Sequence, residues 1–297
     1  MRERQAKSAT SGNRGVWRRA ALLGMAGALL ALSLGARADL EEIRSRGYLT
    51  VATEDNYAPY NFMTDGKPDG FHKDLLQELQ TYARLEVRQD ILPWTGLLAA
   101  VVGGKYDFAF TGALVTDERL RVFDFAPPFA SAQHYFIRRA DDERLDSIAS
   151  LSGRKLGVQA GSALLSRLPE LERMLAKTGG ELGEVVEYQS YPEAYADLAN
   201  GRLDYVIDGV VSVNDLVRAR PGVFAKGLPV SAEGYAAWPV PKNSPELLAF
   251  LTRFLDQVRA SGRLGELQRK WYGQEFPGLP VGPITSAEQF HRLAGIE

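Results

Sequence analysis

GKYDFAFTG (residues 104–112) and GRLDYVIDG (residues 201–209) share one pattern: a glycine, a basic residue, an aspartate, three apolar residues and a closing glycine. Each reads as a short buried strand between turn residues. Asp107 and Asp204, common to both copies, read as turn residues of the fold. The copies differ before the last glycine, where one has Thr111 and the other Asp208. In open α/β sheets ligands bind beyond the carboxyl ends of strands, and both of these residues stand at such an end.

Outward from the first copy, YLTVAT (48–53) reads as a strand, and Phe71, Leu75, Leu79 and Tyr82 mark one face of a helix. LEVRQDIL follows as a strand and PWTGLLAAVVGG as a helix beginning near Pro93. Around the second copy, KLGVQAG is a strand and SALLSRLPELERMLAK a helix expected to break at Pro169. GEVVEYQS is the next strand and PEAYADLANG the next helix. The chain therefore holds two β-α-β-α-β units of mostly parallel strands flanked by helices. SAQHYFIRRADDERLDS carries a strand out of the first unit, and EGYAAWPVPKNS carries one out of the second. If the helices at SPELLAFLTRFLDQVRASG and RLGELQRKWYG return to the first unit, lobe 1 is discontinuous, 39–137 plus 232–297, and lobe 2 is 138–231. Two crossings would then form a hinge.

Residues 1–38 combine a basic segment, the apolar run AALLGMAGALLALSL and Ala36-Arg37-Ala38, the pattern of a signal peptide cleaved after Ala38. The apolar run is shorter than the roughly 20 residues that span a bilayer. Arg18-Arg19 leaves open a twin-arginine route beside the general one. The 297 residues include no cysteine, so disulfides and a lipid-bearing cysteine are excluded. A soluble protein of the periplasm is expected. Of 35 Lys+Arg and 37 Asp+Glu, residues 1–38 hold seven and one, leaving 28 against 36, a charge of about −8. That balance disfavours nucleic acid as a partner.

Thr116 suits a helix cap and Asp117 and Glu118 its first turn, but Arg119 follows where the helix dipole disfavours a cation. Its donor fork either meets a ligand carboxylate or folds back onto Asp117, Asp124 or a surface acid. Asp208 either accepts from a ligand ammonium or caps a helix beginning near Ser212. Tyr57, Tyr60 and Phe62 lie in a loop after the first strand and Trp94 opens a helix. Of these, Tyr57 and Trp94 are the pair retained as flat walls for a ligand side chain. Gly161 and Ser162 stand where a strand turns into a helix, a place for a carboxylate or for a plain cap. His72, His134 and His291 show no metal-ligand spacing, and no phosphate loop or nucleophile elbow is present. No catalytic residue, metal or cofactor is expected.

YLTVATEDNYAPYNF, DGKPDGFHKDLLQEL, PWTGLLAAVVGGKYDFAFTGALVTDERLRVFDFAPPF, LSGRKLGVQAGS, LANGRLDYVIDG and GRLGELQRKWYG together resemble the bacterial periplasmic solute-binding proteins of the polar amino-acid uptake class, family 3. The resemblance covers nearly all of 40–276. It implies a two-lobed periplasmic-binding-protein fold of type II with a two-strand hinge. It also implies that Arg119 holds a ligand α-carboxylate and Asp208 its α-ammonium, with Tyr57 and Trp94 sandwiching the side chain and Glu54 reading its polar end. Thr111, Gly112 and Ser162 add hydrogen bonds. Leu114 stands where the family usually has a hydroxyl, leaving that contact to the backbone; Ala163 and His72 also depart from the pattern.

The function expected is the ligand-binding component of an ABC importer, a monomer that takes a small α-amino acid and delivers it to an inner-membrane permease. Two other classes are weighed against it. One is a lyase similar to the cyclohexadienyl dehydratases, which carry a carboxylate where this chain has Val211; the other is a sensory module acting through a separate membrane protein. The tail after Phe276 extends past the family pattern.

Overall fold

The computed structural model describes residues 40–296. The segment read as a signal peptide, with its cleavage site after Ala38, lies outside them. Helix α1 (Leu40–Arg46) leads into β1 (Tyr48–Glu54), and a hairpin of β2 (Phe62–Thr64) and β3 (Lys67–Asp69) precedes α2 (Phe71–Ala83). Next come β4 (Glu86–Leu92), α3 (Leu97–Val102) and β5 (Phe108–Ala109). Strands β4, β1 and β5 form a parallel three-stranded sheet with β1 central. Helix α3 starts at Leu97, after Gly96 in a left-handed conformation, and not near Pro93.

Short strands β6 (Phe123–Phe125) and β7 (Ala130–Ser131) lead to β8 (His134–Arg139), which belongs to a second sheet. That sheet takes β9 (Leu156–Gln159), then β10 (Val185–Tyr188) after helix α4 (Ala163–Lys177). It adds β11 (Tyr205–Gly209) after α5 (Tyr191–Ala199), and β12 (Phe224–Pro229) after α6 (Val210–Ala219). Its order is β10-β9-β11-β8-β12, with β8 antiparallel to both neighbours, so it is mixed where parallel strands predominate. Residues 134–137, placed with lobe 1 from the sequence, thus pair within the second sheet. Helix α4 runs unbroken through Pro169, contrary to expectation. Burial of Leu164, Arg167, Leu171 and Leu175 along one face outweighs the backbone bond that proline forfeits.

The return path uses β13 (Tyr235–Ala236), paired with β7, and β14 (Pro239–Pro241), paired with β6. The two crossings between the sheets lie side by side: Ala132 N–H donates to Gly234 O at 2.8 Å and Val230 N–H to His134 O at 2.9 Å. Helices α7 (Pro245–Ala260) and α8 (Arg263–Tyr272) follow. Tyr82 of α2 meets Phe250 and Phe254 of α7, and Trp271 of α8 donates to Asp74 of α2. These helices therefore cover the first sheet. Its core is aromatic, with Trp238 packed on Phe108, Phe110, Phe129 and Phe254. His72, fully buried, accepts from Trp238 Nε1 at 2.8 Å and faces Tyr60 O through Nδ1. Burial pushes His72 down to about 3, so this residue is a neutral part of the core.

The repeated aspartates do the same work in both halves. Asp107 exchanges with Thr50 before mid-β1: its N–H donates to Thr50 O at 3.0 Å and its Oδ2 accepts Thr50 N–H at 2.7 Å. Asp204 exchanges with Lys155 at the foot of β9 through the same two bonds, 3.0 and 2.8 Å. Each aspartate therefore sets the register between the last strand of its unit and the first.

The tail after α8 docks on the first half. Ile284 bridges Phe125 by two backbone hydrogen bonds of 2.8 and 2.9 Å, and helix α9 (Ala287–Ala294) buries Phe290 and Ala294 in the apolar cluster that holds Val115 and Leu120. Tyr235 OH donates to Leu293 O at 2.7 Å. His291 Nε2 lies 2.8 Å from Asp117 Oδ1, against the turn that carries Arg119.

Candidate functional site

The carboxyl ends of β1, β5, β9 and β11 converge on one cleft between the sheets. Arg119 enters it from a turn in which Thr116 Oγ1 accepts the Arg119 N–H at 3.2 Å. The side chain is 8% exposed. Nη1 donates to Leu114 O at 2.8 Å and Nη2 to Gly161 O at 3.3 Å, while Cζ lies 5.0 Å from the Trp94 ring centroid. Trp94 Nε1 donates to the same Gly161 carbonyl at 3.1 Å, which the left-handed conformation at Gly161 presents to both. Asp117 pairs with His291 and Asp124 with Lys242, so neither holds Arg119. Among the described residues no carboxylate lies within ion-pair distance of this guanidinium. Burial lowers its pKa to about 10, still leaving it charged.

Asp208 is fully buried at the end of β11. Its Oδ2 accepts from Tyr195 OH, and its Oδ1 accepts Gly209 N–H at 2.6 Å and faces Tyr57 OH at 3.5 Å. Helix α6 begins at Val210, and the carboxylate takes only the N–H of Gly209 before it. No basic group among the described residues pairs with it, and burial pushes its pKa up to about 7. Glu54, at the end of β1, is also buried and accepts from Gln159 Nε2 at 3.1 Å. Burial raises Glu54 to about 8, so near neutral pH it is largely a protonated carboxyl that can donate as well as accept.

Glu54, Tyr57, Trp94, Gly112, Leu114, Arg119 and Ser162 line one cavity. Thr111 and Asp208 do not reach its wall: Asp208 lies behind Tyr57, and Thr111 is fully buried with Oγ1 lacking a hydrogen bond. Gly112 is required there, because a Cβ would stand 2.8 Å from the Tyr60 ring. Leu114 contributes its carbonyl to Arg119 where its side chain has no polar group to offer. Ser162 is the N-cap of α4, but its hydroxyl makes no cap bond; it and the Tyr191 hydroxyl influence each other without a hydrogen bond of good geometry. Buried hydroxyls left unpaired cost about 1–3 kcal/mol each, so the cleft wall holds polar groups awaiting partners.

The sequence reading missed Gln159, Tyr191 and Tyr195. Gln159 ends β9 as Glu54 ends β1, so the strand-end logic applied to Thr111 and Asp208 also reaches it. Tyr191 and Tyr195 sit one turn apart at the start of α5, and their rings stack at 5.7 Å. Their spacing reads equally well as core, which is why pattern alone passes over them.

A family model, bacterial extracellular solute-binding proteins, family 3, matches residues 49–274. The chain belongs to that family. This family 3 protein is 27% identical over 264 residues to the L-cystine-binding protein TcyJ of Escherichia coli K12, covering 86% of this chain and 96% of that one. It is 29% identical over 234 residues to membrane-bound lytic murein transglycosylase F of Pasteurella multocida, covering 77% of this chain but only 46% of that protein. Among solved structures, the amino acid ABC transporter substrate-binding protein AbpA from Streptococcus pneumoniae, bound to L-arginine, superposes with a TM-score of 0.68 at 26% identity. That match covers 79% of this chain and 98% of that one. The fold is thus the two-lobed α/β fold of solute-binding proteins, and α9 lies beyond the matched region of the family.

Proposed function

We propose that this family 3 protein is the periplasmic capture component of an amino-acid ABC importer, working as a monomer after removal of residues 1–38 and passing its ligand to an inner-membrane permease. The two sheets are the cores of its lobes, and the paired crossings near 132–134 and 230–234 are the hinge. The observation that carries the reading is a charge arrangement. Arg119 lines the cleft, buried without a carboxylate, and Asp208 is buried without a cation at the end of β11, screened from the cavity by Tyr57. An unpaired buried charge is costly, and an α-amino acid supplies the missing partner to both. Its carboxylate takes the Arg119 fork, and its ammonium reaches Asp208 when the Tyr57 hydroxyl moves aside. Trp94 and Tyr57 flank the side chain, Glu54 and Gln159 meet its end, and Gly112 and Ser162 complete the hydrogen bonds, while Thr111 stays behind the wall. The amino-acid ligands named for TcyJ and AbpA agree with this class.

Isothermal titration of the parent and Arg119→Ala against the twenty amino acids tests it. At least a hundredfold loss of affinity is expected for each ligand that binds the parent; equal affinity in the variant removes Arg119 from the site. One observation favours a second reading as a lyase. Glu54 is a protonated carboxyl in the cleft, the proton donor such chemistry needs, whereas Val211 is a buried apolar residue. Turnover of prephenate, abolished in Glu54→Gln, would establish the enzyme and displace the transport reading.

A further inference from the structure

Beyond the Tyr57–Tyr191 pair lies a second cavity, of about 240 Å³, that shares those two residues with the amino-acid cleft. Their rings stack with centroids 5.9 Å apart, so they form a partition between the two spaces. One wall of the outer space is a single face of α6, presenting Ser212, Asp215, Leu216 and Ala219, with Arg220 just after the helix. At 1.5 Å per residue the groove runs about 12 Å from Ser212 to Arg220.

Three polar groups along that face are incompletely used. Ser212 Oγ is buried and has no hydrogen-bond partner. Asp215 gives one oxygen to Arg218, and burial raises its pKa. Arg220 is exposed and makes no ion pair among the described residues, resting 6.0 Å from the Phe224 ring. Aromatic surface from Tyr57, Tyr195 and Phe62 faces them. A hydroxyl, a carboxylate and a guanidinium along an aromatic-walled groove complement a second zwitterion carried on an apolar arm.

We propose that the preferred ligand is a two-headed amino acid, with one α-amino-acid head between Arg119 and Asp208 and a second head in the outer groove on Asp215, Ser212 and Arg220. This rests on the amino-acid reading of the inner cleft. Where a one-headed side chain ends at Glu54 and Gln159, the linker of a two-headed ligand turns away from them and passes between Tyr57 and Tyr191. A methylene or sulfur atom held between two rings needs centroids about 7 Å apart, so the partition widens by roughly an ångström as the walls part to admit it.

Calorimetry with the mature protein tests the proposal. L-Cystine and L-lanthionine serve as two-headed probes, and S-methyl-L-cysteine as a one-headed probe with the same proximal half. The two-headed ligands are expected to bind at least tenfold more tightly. Arg220→Glu, on the surface, and Leu216→Trp, which fills the groove, should each remove that advantage and leave S-methyl-L-cysteine unchanged. Equal affinity for one and two heads, or an equal loss for both ligands in the variants, overturns the outer site while the inner amino-acid site stands. Failure of every amino acid to bind the parent overturns the amino-acid reading and the outer site with it.

Discussion

Glu54 and Asp208 both lose their aqueous surroundings on folding, and burial raises the first to about 8 and the second to about 7. Both folded values lie above the ordinary carboxylate range, so between about pH 4 and 8 the folded protein holds protons that the unfolded chain has released. Their contribution to stability is complete below that window and is lost as pH rises through the folded values. The melting temperature of the ligand-free protein should therefore fall from pH 5 to pH 8, and Glu54→Gln should flatten that slope. A slope untouched in the variant assigns the effect elsewhere. Ligand binding has the opposite sign at Asp208, because an ammonium needs the ionised carboxylate. Affinity for amine-bearing ligands should rise from pH 6 to 8, by no more than about tenfold per unit, with proton release visible in buffers of different ionisation enthalpy. Asp208→Asn should spare ligands without a charged amine, and an equal loss for every ligand identifies a structural role. The strand-end position of Asp208 and the misplaced charge of Arg119 are legible in the sequence because each breaks a local rule. The elevated Glu54 is not, because its cause is desolvation as the opposite wall closes over it, against the opposing pull of the Gln159 hydrogen bond, and no local pattern encodes that closure.

Helix α9 belongs to the scale of elements. Phe290 is packed in the cluster beneath Leu120, the neighbour of Arg119, while His291 touches Asp117 at the surface. Phe290→Ala should cost about 3 kcal/mol or more in denaturant titration and loosen the Arg119 turn, weakening ligand affinity as well. His291→Ala should cost under about 1 kcal/mol, since both partners are solvent-exposed. A Phe290→Ala protein with parental stability would falsify the bracing role. At this scale the sequence discloses nearly every helix and strand of the two units, because apolar spacing and turn residues are local properties. It misleads at Pro169, where long-range burial of one helical face overrides a local breaker. It also misassigns the start of β8, because strand partners come from residues about 70 positions away and leave no local trace.

For the whole molecule, the decisive dimension is the width of the cleft. The opposing walls are tied by Glu54 to Gln159, Trp94 to Gly161 and Thr95 to Gln189 at 3.1 to 3.2 Å, and the cavity between them is about 20 Å³. That is room for about one water, so admitting an amino acid requires the lobes to separate about the paired crossings. Small-angle scattering should show a smaller radius of gyration with ligand than without it. Identical profiles in both conditions would argue for a rigid body. The doubled crossing has a further consequence, which concerns the order in which the chain is made. Strands β8 to β12 follow one another without interruption, so the second sheet has all its strands once residue 229 has emerged. The first sheet must wait for Trp238, for α7 and for Ile284, all encoded after the second sheet is complete, before its aromatic face is covered. A pocket with one wall from each half is therefore finished last, and the protein stays blind to its solute until almost the end of the chain is in place.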